Sequence, residues 1–285
     1  MEIFTTNACF ISVIIPTYNR NDLLEKCLIN LAPGKQTLNS SLYEVIVTDD
    51  SKEKKAESFI KNNYSWAKWV AGSYKGPAAN RNNGAKQAKG SWFVFIDDDC
   101  IPDINLIEEY FKAIRNNNNY EVFEGRTYVN TPRKSLSEVS PINETGGYLW
   151  SCNFCIKKTL FEELNGFDER FPYACMEDVD LKLRLTNTNN TFKFIKEAAV
   201  LHPWRLKNTK KKGGKNNLHE STLIYLSIHP EENRNINSIY FFKWVLISFF
   251  KDTIPGIFKY KGSGLKTALQ EHFSYIKMAL ILFKR

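Results

Sequence analysis

The sequence predicts an α/β fold: a mostly parallel sheet with flanking helices, followed by a helical C-terminal extension. Three observations carry this reading. Apolar runs and helical patterns alternate through the first hundred residues. The apolar runs are nearly continuous, as in strands buried on both faces. The last 81 residues carry 15 Lys and Arg against five acids, a net +10, whereas the rest of the chain is −2. That basicity describes the extension and its partner, not the domain before it. With 43% hydrophobic and 14% aromatic residues over 285 positions, the chain reads as globular, one large domain and an appendage.

The elements follow in order. "ISVIIPTYN" reads as a buried strand ending in a turn. "NDLLEKCLINL" carries Leu23, Leu24, Cys27, Leu28 and Leu31 at helical spacing. "YEVIVTDDS" is a second strand and "KWVAGS" a short third. "GPAANRNNGAKQAKG" reads as a helix entered through Gly76 and Pro77 and stopped at Gly90. "WFVFIDDD" is the next strand. Residues 100–204 are less regular, with a helix stopped by Asn165-Gly166 and an alternating "VDLKLRL" that by period favours a strand. In the extension, Leu265, Leu269, Phe273, Ile276, Leu280 and Phe283 share one side of a helix, with Lys266, Gln270, Lys277 and Lys284 opposite. The expected division is residues 1–205 and 206–285.

The six cysteines include one CxxC, Cys152 and Cys155, with no second pair to complete a zinc site, so reduced and mostly buried thiols are expected. The N-terminus lacks a basic n-region and a cleavage site, and no apolar run reaches the roughly 18 residues of a spanning helix. The expectation is a cytoplasmic protein, with peripheral contact to the inner membrane face as an option for its tail.

In parallel sheets, ligands bind beyond the carboxyl ends of the strands. Three runs end there in polar clusters: Pro16-Thr17-Tyr18-Asn19, Thr48-Asp49-Asp50-Ser51 and Asp97-Asp98-Asp99. One polar strand end is a solvated turn; three on one edge make a site hypothesis.

"SVIIPTYNR", "VIVTDDS", "GPAANRNNGA" with "GSWFVFIDDDC", "LNGFDERF" and "MEDVDLKLRL", in this order, resemble the family 2 glycosyltransferases, enzymes with the Rossmann-like GT-A fold. The resemblance covers roughly residues 10–205. It implies a metal-dependent, inverting transferase of the hexosyl or N-acetylhexosaminyl kind. Its donor would be a nucleotide-diphosphate sugar, UDP-linked, and its acceptor a hydroxyl of a cell-surface glycan or lipid-linked glycan. A divalent cation, Mn²⁺ or Mg²⁺, eases departure of the diphosphate and prefers carboxylate oxygen.

The resemblance also implies roles. Asp99 of the DXD-like triplet would ligate the metal, with His202 as a second ligand, although a lone histidine is as often structural. Asp97 would support that site and Asp98 would meet a ribose or sugar hydroxyl. Pro16 and Tyr18 would cradle the base, and Asp50 would accept a hydrogen bond from a uracil-type ring N–H, while Asp49 caps the following helix. Arg81 matches a donor-side basic position, its alternative being a surface salt bridge. Asn153, with Trp150 and the Gly146-Gly147 turn, would shape the donor-sugar and acceptor pockets. Asp178 would be the general base, with Glu177 beside it. The resemblance turns "VDLKLRL" into a helix. Arg205, Lys207 and the Lys210-Lys211-Lys212 run could close over the diphosphate or form a solvated loop.

A nucleotidyltransferase would also use strand-end acids, but "PTYNRND" lacks the glycines such enzymes place after their first strand. A non-catalytic sugar-nucleotide-binding protein is the other alternative. No aromatic–basic reader motif points to nucleic acid. Residues 239–285 mix apolar and lysine residues, which suits either an anionic membrane face or packing on the domain.

Overall fold

The computed structural model describes residues 10–207 and 217–284. In chain order its strands are β1 Ile11–Thr17, β2 Tyr43–Asp49, β3 Lys68–Ala71, β4 Trp92–Ile96, β5 Ile101–Pro102, β6 Val122–Tyr128, β7 Glu138–Val139, β8 Asn153–Lys157, β9 Lys193–Leu201 and β10 Arg205–Leu206. Its α-helices are α1 Asn21–Leu31, α2 Lys55–Asn63, α3 Pro77–Lys86, α4 Leu106–Asn116, α5 Lys158–Glu163, α6 Glu177–Asn187, α7 Asn217–Ile228, α8 Ser238–Ser248, α9 Ile254–Lys259 and α10 Leu265–Phe283. The chain divides into two compact units, Met1–Tyr128 with Pro141–His202, and Val129–Ser140 with Pro203–Arg285. Residues 129–140 thus group with the C-terminal segment rather than with the sequence around them, because β7 pairs with β10.

The first unit is built on one sheet of order β3-β2-β1-β4-β8-β6-β9-β5. β1 lies parallel to β2 and to β4, and β2 parallel to β3, so these four strands end on one edge. The arrangement departs from an all-parallel sheet at β8, which runs antiparallel to both β4 and β6. The near-continuous apolar runs are explained by burial on both faces. Val13, Ile15, Val45 and Val47 face Leu24 and Leu28 of α1, while Ile14, Ile46 and Phe93 face Ala78, Leu160 and Leu181. Full burial of a leucine such as Leu28 contributes about 2 kcal/mol, and truncating it to alanine costs more because a cavity remains.

Two helices show why periodicity alone misleads. α3 has no apolar stripe, yet Asn80, Arg81 and Asn82 are buried on it. Asn80 accepts from the Thr48 hydroxyl at 2.7 Å and donates to the Thr48 carbonyl at 2.8 Å, and Asn83 donates to the Ala71 carbonyl at 2.7 Å. The helix is held by hydrogen bonds to strand ends as much as by apolar contact. It also lies very close to the sheet, since a Cβ on Gly84 would stand 2.6 Å from Ile14 Cγ2. α6 is helical as the resemblance implied. Leu181 and Leu185, one turn apart, are buried, whereas Val179 and Leu183 are half-buried. Arg184 pins the helix by donating to the Gly166 carbonyl at 2.8 Å and to Asp180 at 2.6 Å.

The second unit is mainly helical. α8 passes through a π-helical turn, Phe249–Thr253, into α9, and α10 packs on α8. Its small core centres on Phe241, Met278 and Ala279. On α10 the apolar stripe seen in the sequence does not face this core. The buried positions are Ala268, His272, Met278 and Ala279, not the Leu269–Phe273–Leu280 stripe, which is exposed. Small Ala268 and Ala279 permit close approach, and the His272 ring contacts the Thr253 hydroxyl at 2.8 Å. Among the described residues no helix is long and apolar enough to cross a membrane.

Candidate active site

The edge where β1, β2 and β4 end gathers the predicted acids around two arginines. The first cluster follows β1. Thr17 donates its hydroxyl to Asp98 at 2.7 Å, and Arg20 donates its Nε to the same carboxylate at 3.1 Å. Arg20 also lies 3.4 Å from Asp99. The Nε2 of His202 stands 3.3 Å from the other Asp99 oxygen, Oδ1. β6 holds His202 here, since its backbone N–H donates to the Tyr128 carbonyl at 2.8 Å.

The second cluster surrounds Arg81. Its guanidinium bonds Asp97 at 2.7 Å and Glu177 at 3.0 Å, and it lies over the Phe167 ring at 5.5 Å. The side chain is only 2% exposed. Arg81 is therefore a buried tie between β4 and α6, not the surface salt bridge that was its alternative. Met176, in the left-handed region at φ 75°, turns the chain into α6 and sets Glu177 and Asp178 in its first turn. Acids there are favoured by the helix dipole. Asp178 accepts from the Val179 N–H at 2.9 Å. Burial nevertheless raises the Asp178 carboxyl above its ordinary range, against the pull of Arg81 and of the Val179 and Ser151 N–H groups. Glu177 is pushed up to about 7, first by burial and then by the Asp178 charge.

Two residues with expected pocket roles lie buried in this geometry. Asp98, expected at a donor hydroxyl, is fully buried and spends its carboxylate on Thr17 and Arg20, bracing the site from within. Burial pushes it up to about 7 despite those partners. Asn153, expected in a donor or acceptor pocket, is also buried. Its amide donates to the Arg126 and Ala198 carbonyls at 2.9 and 3.0 Å and accepts from the Tyr110 hydroxyl at 2.8 Å. It joins β8, β6 and β9 inside the sheet.

The other residues are placed as follows. Pro16 is buried within β1 and Tyr18 follows it with an exposed ring. Asp49 caps α2 at a distance, accepting from Ser51 N–H at 2.9 Å and Ala56 N–H at 3.3 Å. Asp50 accepts from the Tyr74 and Gly76 N–H groups at 2.5 and 3.0 Å, ordering the loop into α3, and retains lone pairs beyond those two. Gly76 has φ +106°, and a Cβ there would meet the Pro172 carbonyl oxygen at 2.6 Å. In the second unit, Arg205 lies in β10 and Lys207 is paired with Glu271. Lys210, Lys211 and Lys212 lie outside the described residues.

Sequence reasoning missed Arg20 and Glu124. Glu124 is a buried carboxylate on β6 that accepts from the N–H groups of Gly147, Tyr148 and Leu149 at 2.6, 2.9 and 2.5 Å. It orders the turn that carries the stacked Tyr148 and Trp150 rings, 4.4 Å apart, and leads to Ser151 beside Asp178. Its only sequence signal is an acid inside an apolar strand run, "YEVFEGRTY".

Asp99, His202 and Cys100 bring a carboxylate oxygen, an imidazole nitrogen and a sulfur within 4.8 Å of one another. Two neighbouring ligands about 2.1 Å from one octahedral ion stand about 3 Å apart, which the Asp99–His202 spacing fits. The Cys100 thiol does not fit such an ion. Burial raises it well above its ordinary range, and it faces the Cys152 carbonyl at 3.7 Å. Among the described residues the five cysteines form no disulfide, and four of them are buried.

Comparison with known proteins finds relatives of the sequence and neighbours of the fold. A relative from Haemophilus influenzae, described as an uncharacterized glycosyltransferase, is 30% identical over 191 residues, 61% of each chain. The Campylobacter jejuni GalNAc(5)-diNAcBac-PP-undecaprenol beta-1,3-glucosyltransferase is 36% identical over 94 residues, 31% of this chain and 29% of that one. The matched stretch thus spans about three fifths of the first relative and under a third of the second. S. aureus TarS 1-349 in complex with UDP shares the fold at a TM-score of 0.56 and 21% identity, over 87% of this chain and 74% of that one. GalNAc-T7 with UDP, GalNAc and Mn²⁺ does so at 0.60 and 17%, over 77% and 48%. The Glycosyl transferase family 2 profile matches residues 12–168. That match runs through all three polar strand ends and Arg81, and it takes in more than half of the sequence, so the chain belongs to glycosyl transferase family 2.

Proposed function

We propose that this protein transfers a sugar from a UDP-linked donor to an acceptor hydroxyl, with inversion at the anomeric carbon. The observation that carries the reading is the pairing of two unlike acid clusters on one strand edge. Asp99 and His202 face each other at ligand spacing, and Glu177 and Asp178 open a helix beside buried Arg81. The UDP held by both structural neighbours and the Mn²⁺ held by one of them support the choice of donor and metal class.

Asp99 and His202 would hold Mn²⁺ or Mg²⁺, which when bound neutralises charge on the departing diphosphate. The chain's own residues supply the rest. Tyr18 and Pro16 border the base, and Asp50 offers its remaining lone pairs to a ring N–H. Arg81 fixes Asp97 and Glu177. Asp178 takes the proton of the acceptor hydroxyl as its oxygen attacks the anomeric carbon; its raised pKa makes it a better base than an ordinary aspartate. Trp150 and Tyr148, held by Glu124, border the acceptor.

The acceptor we infer is a hydroxyl of a cell-surface glycan or of a lipid-linked glycan. A relative whose name specifies an undecaprenol-linked acceptor supports this class. The test is mass spectrometry of products over a panel of nucleotide-sugars with Mn²⁺, run beside thermal shifts with free nucleotides. UDP should stabilise the protein with metal, and one UDP-sugar should be consumed. No shift with any nucleotide at saturating metal would overturn the donor assignment.

A further inference from the structure

The second unit carries its apolar side chains on the outside. On α8, Ile239, Phe242 and Leu246 follow one another at i, i+3 and i+7 and all are exposed. Such a stripe ordinarily faces a core. The π-helical turn adds Phe250 at 62% exposure, α9 adds Phe258 at 79% and α10 adds Phe273 at 69%. The unit's own core takes little of this surface, since α8 buries only Phe241.

Lysines border these faces, those of α10 nearer to its apolar stripe than the opposite side on which the sequence pattern put them. Lys243 is one turn from Ile239. Lys277 is one turn from Phe273, and Lys284 is one turn from Leu280. Among the described residues, Lys243, Lys266, Lys277 and Lys284 form no ion pair. The two acids of 238–284 are spoken for, Asp252 by Arg133 and Glu271 by Lys207. The face is thus apolar and of single positive sign.

We propose that the outward faces of α8, α9 and α10 dock this unit on an anionic lipid bilayer, lying in the plane of the interface. Three arguments favour lipid over a protein partner. Lysine is depleted from the cores of protein interfaces but is at home beside aromatic residues at a membrane surface. A two-fold contact with a second copy would set the same patch against itself, lysines included. No described helix can span a bilayer, so the apolar residues enter it edge-on. The proposal does not depend on the glycosyltransferase reading.

Sedimentation of the full chain with vesicles tests it. The protein should pellet with vesicles of phosphatidylcholine and phosphatidylglycerol, and weakly with phosphatidylcholine alone. The double variant F273E/L280E should lower the partition coefficient at least about tenfold. The triple variant K266Q/K277Q/K284Q should do so for the anionic vesicles only. All these side chains are exposed, so the melting temperature should hold, and UDP-induced thermal shifts should be unchanged. Equal pelleting of wild type and both variants would overturn the proposal. So would a wild-type dimer, seen by light scattering, that F273E/L280E converts to monomer while anionic vesicles bind neither.

Discussion

The two arginines of the site hold acids in opposite ways. Arg81 is 2% exposed and locked between Asp97 and Glu177, with an aromatic ring against it. Arg20 is 41% exposed and reaches Asp98 and Asp99 from the side of solvent. The buried cation fixes the acids near Asp178, and the exposed one attends the acids near His202. One half of the site is thus a fixed frame closed to water. The other presents its cation to solvent. The contrast teaches that identical ion-pair chemistry can serve rigidity or replacement, according to how much water reaches the cation.

The sharpest break between the halves is catalytic. Asp178→Asn should lower turnover by about 10²–10⁴-fold, the usual contribution of a general base, and leave metal-dependent UDP stabilisation intact. Asp99→Asn should do the reverse in binding, abolishing the Mn²⁺-dependent part of the UDP thermal shift. Turnover and thermal shift measured on both variants separate the halves. Near-normal turnover in Asp178→Asn would move the base to Glu177.

Stability should divide along the same line. Arg81→Met leaves Asp97 and Glu177 without their cation inside the protein, a loss of about 3–5 kcal/mol. Arg20→Ala removes a half-exposed partner from Asp98, which retains Thr17, and should cost roughly 1 kcal/mol. Urea unfolding without ligand reads both. Equal losses would mean that Arg20 is as structural as Arg81.

Much of the sheet was legible in the sequence because its strands are buried on both faces and its polar ends are abrupt. The limits of α1 can be read off "NDLLEKCLINL", where every buried residue lies on the apolar stripe. α3 offered no such stripe, because its inward face is asparagine and arginine bonded to strand ends far away in sequence. The period of "VDLKLRL" pointed to a strand, and only the resemblance corrected it. How deeply each acid of the triplet is buried was not legible. Asp97, Asp98 and Asp99 differ in burial because of Thr17, Arg20 and Arg81, each distant in sequence or on another element. Asn153 reads as a site residue by position, yet its amide is used up inside the sheet. In α10 the stripe was visible, but its direction was set by Ala268 and Ala279, where a neighbouring helix could approach.

The smallest expected effect, and the finest probe of the contrast, is in pH. Arg81 is one cation facing Asp97, Glu177 and Asp178, so the second cluster is short of positive charge. Glu177 accordingly rises from 4.5 to about 7, and Asp178 rises from 3.8, both chiefly through burial. Asp178 must lose its proton to act, so kcat/KM should climb with pH along a limb above the ordinary aspartate range. Glu177→Gln removes a neighbouring negative charge while its amide oxygen can still accept from Arg81. Asp178 then holds its proton less tightly, and the limb should shift to lower pH by up to about one unit. Stability gives an independent sign. Between 4.5 and about 7 the folded protein holds a proton on Glu177 that the unfolded chain releases, so this residue's contribution declines as pH rises through that window. Glu177→Gln should flatten that decline in urea titrations. A limb that stays in place while the stability profile flattens would assign the kinetic limb to a group other than Asp178, and with it the base.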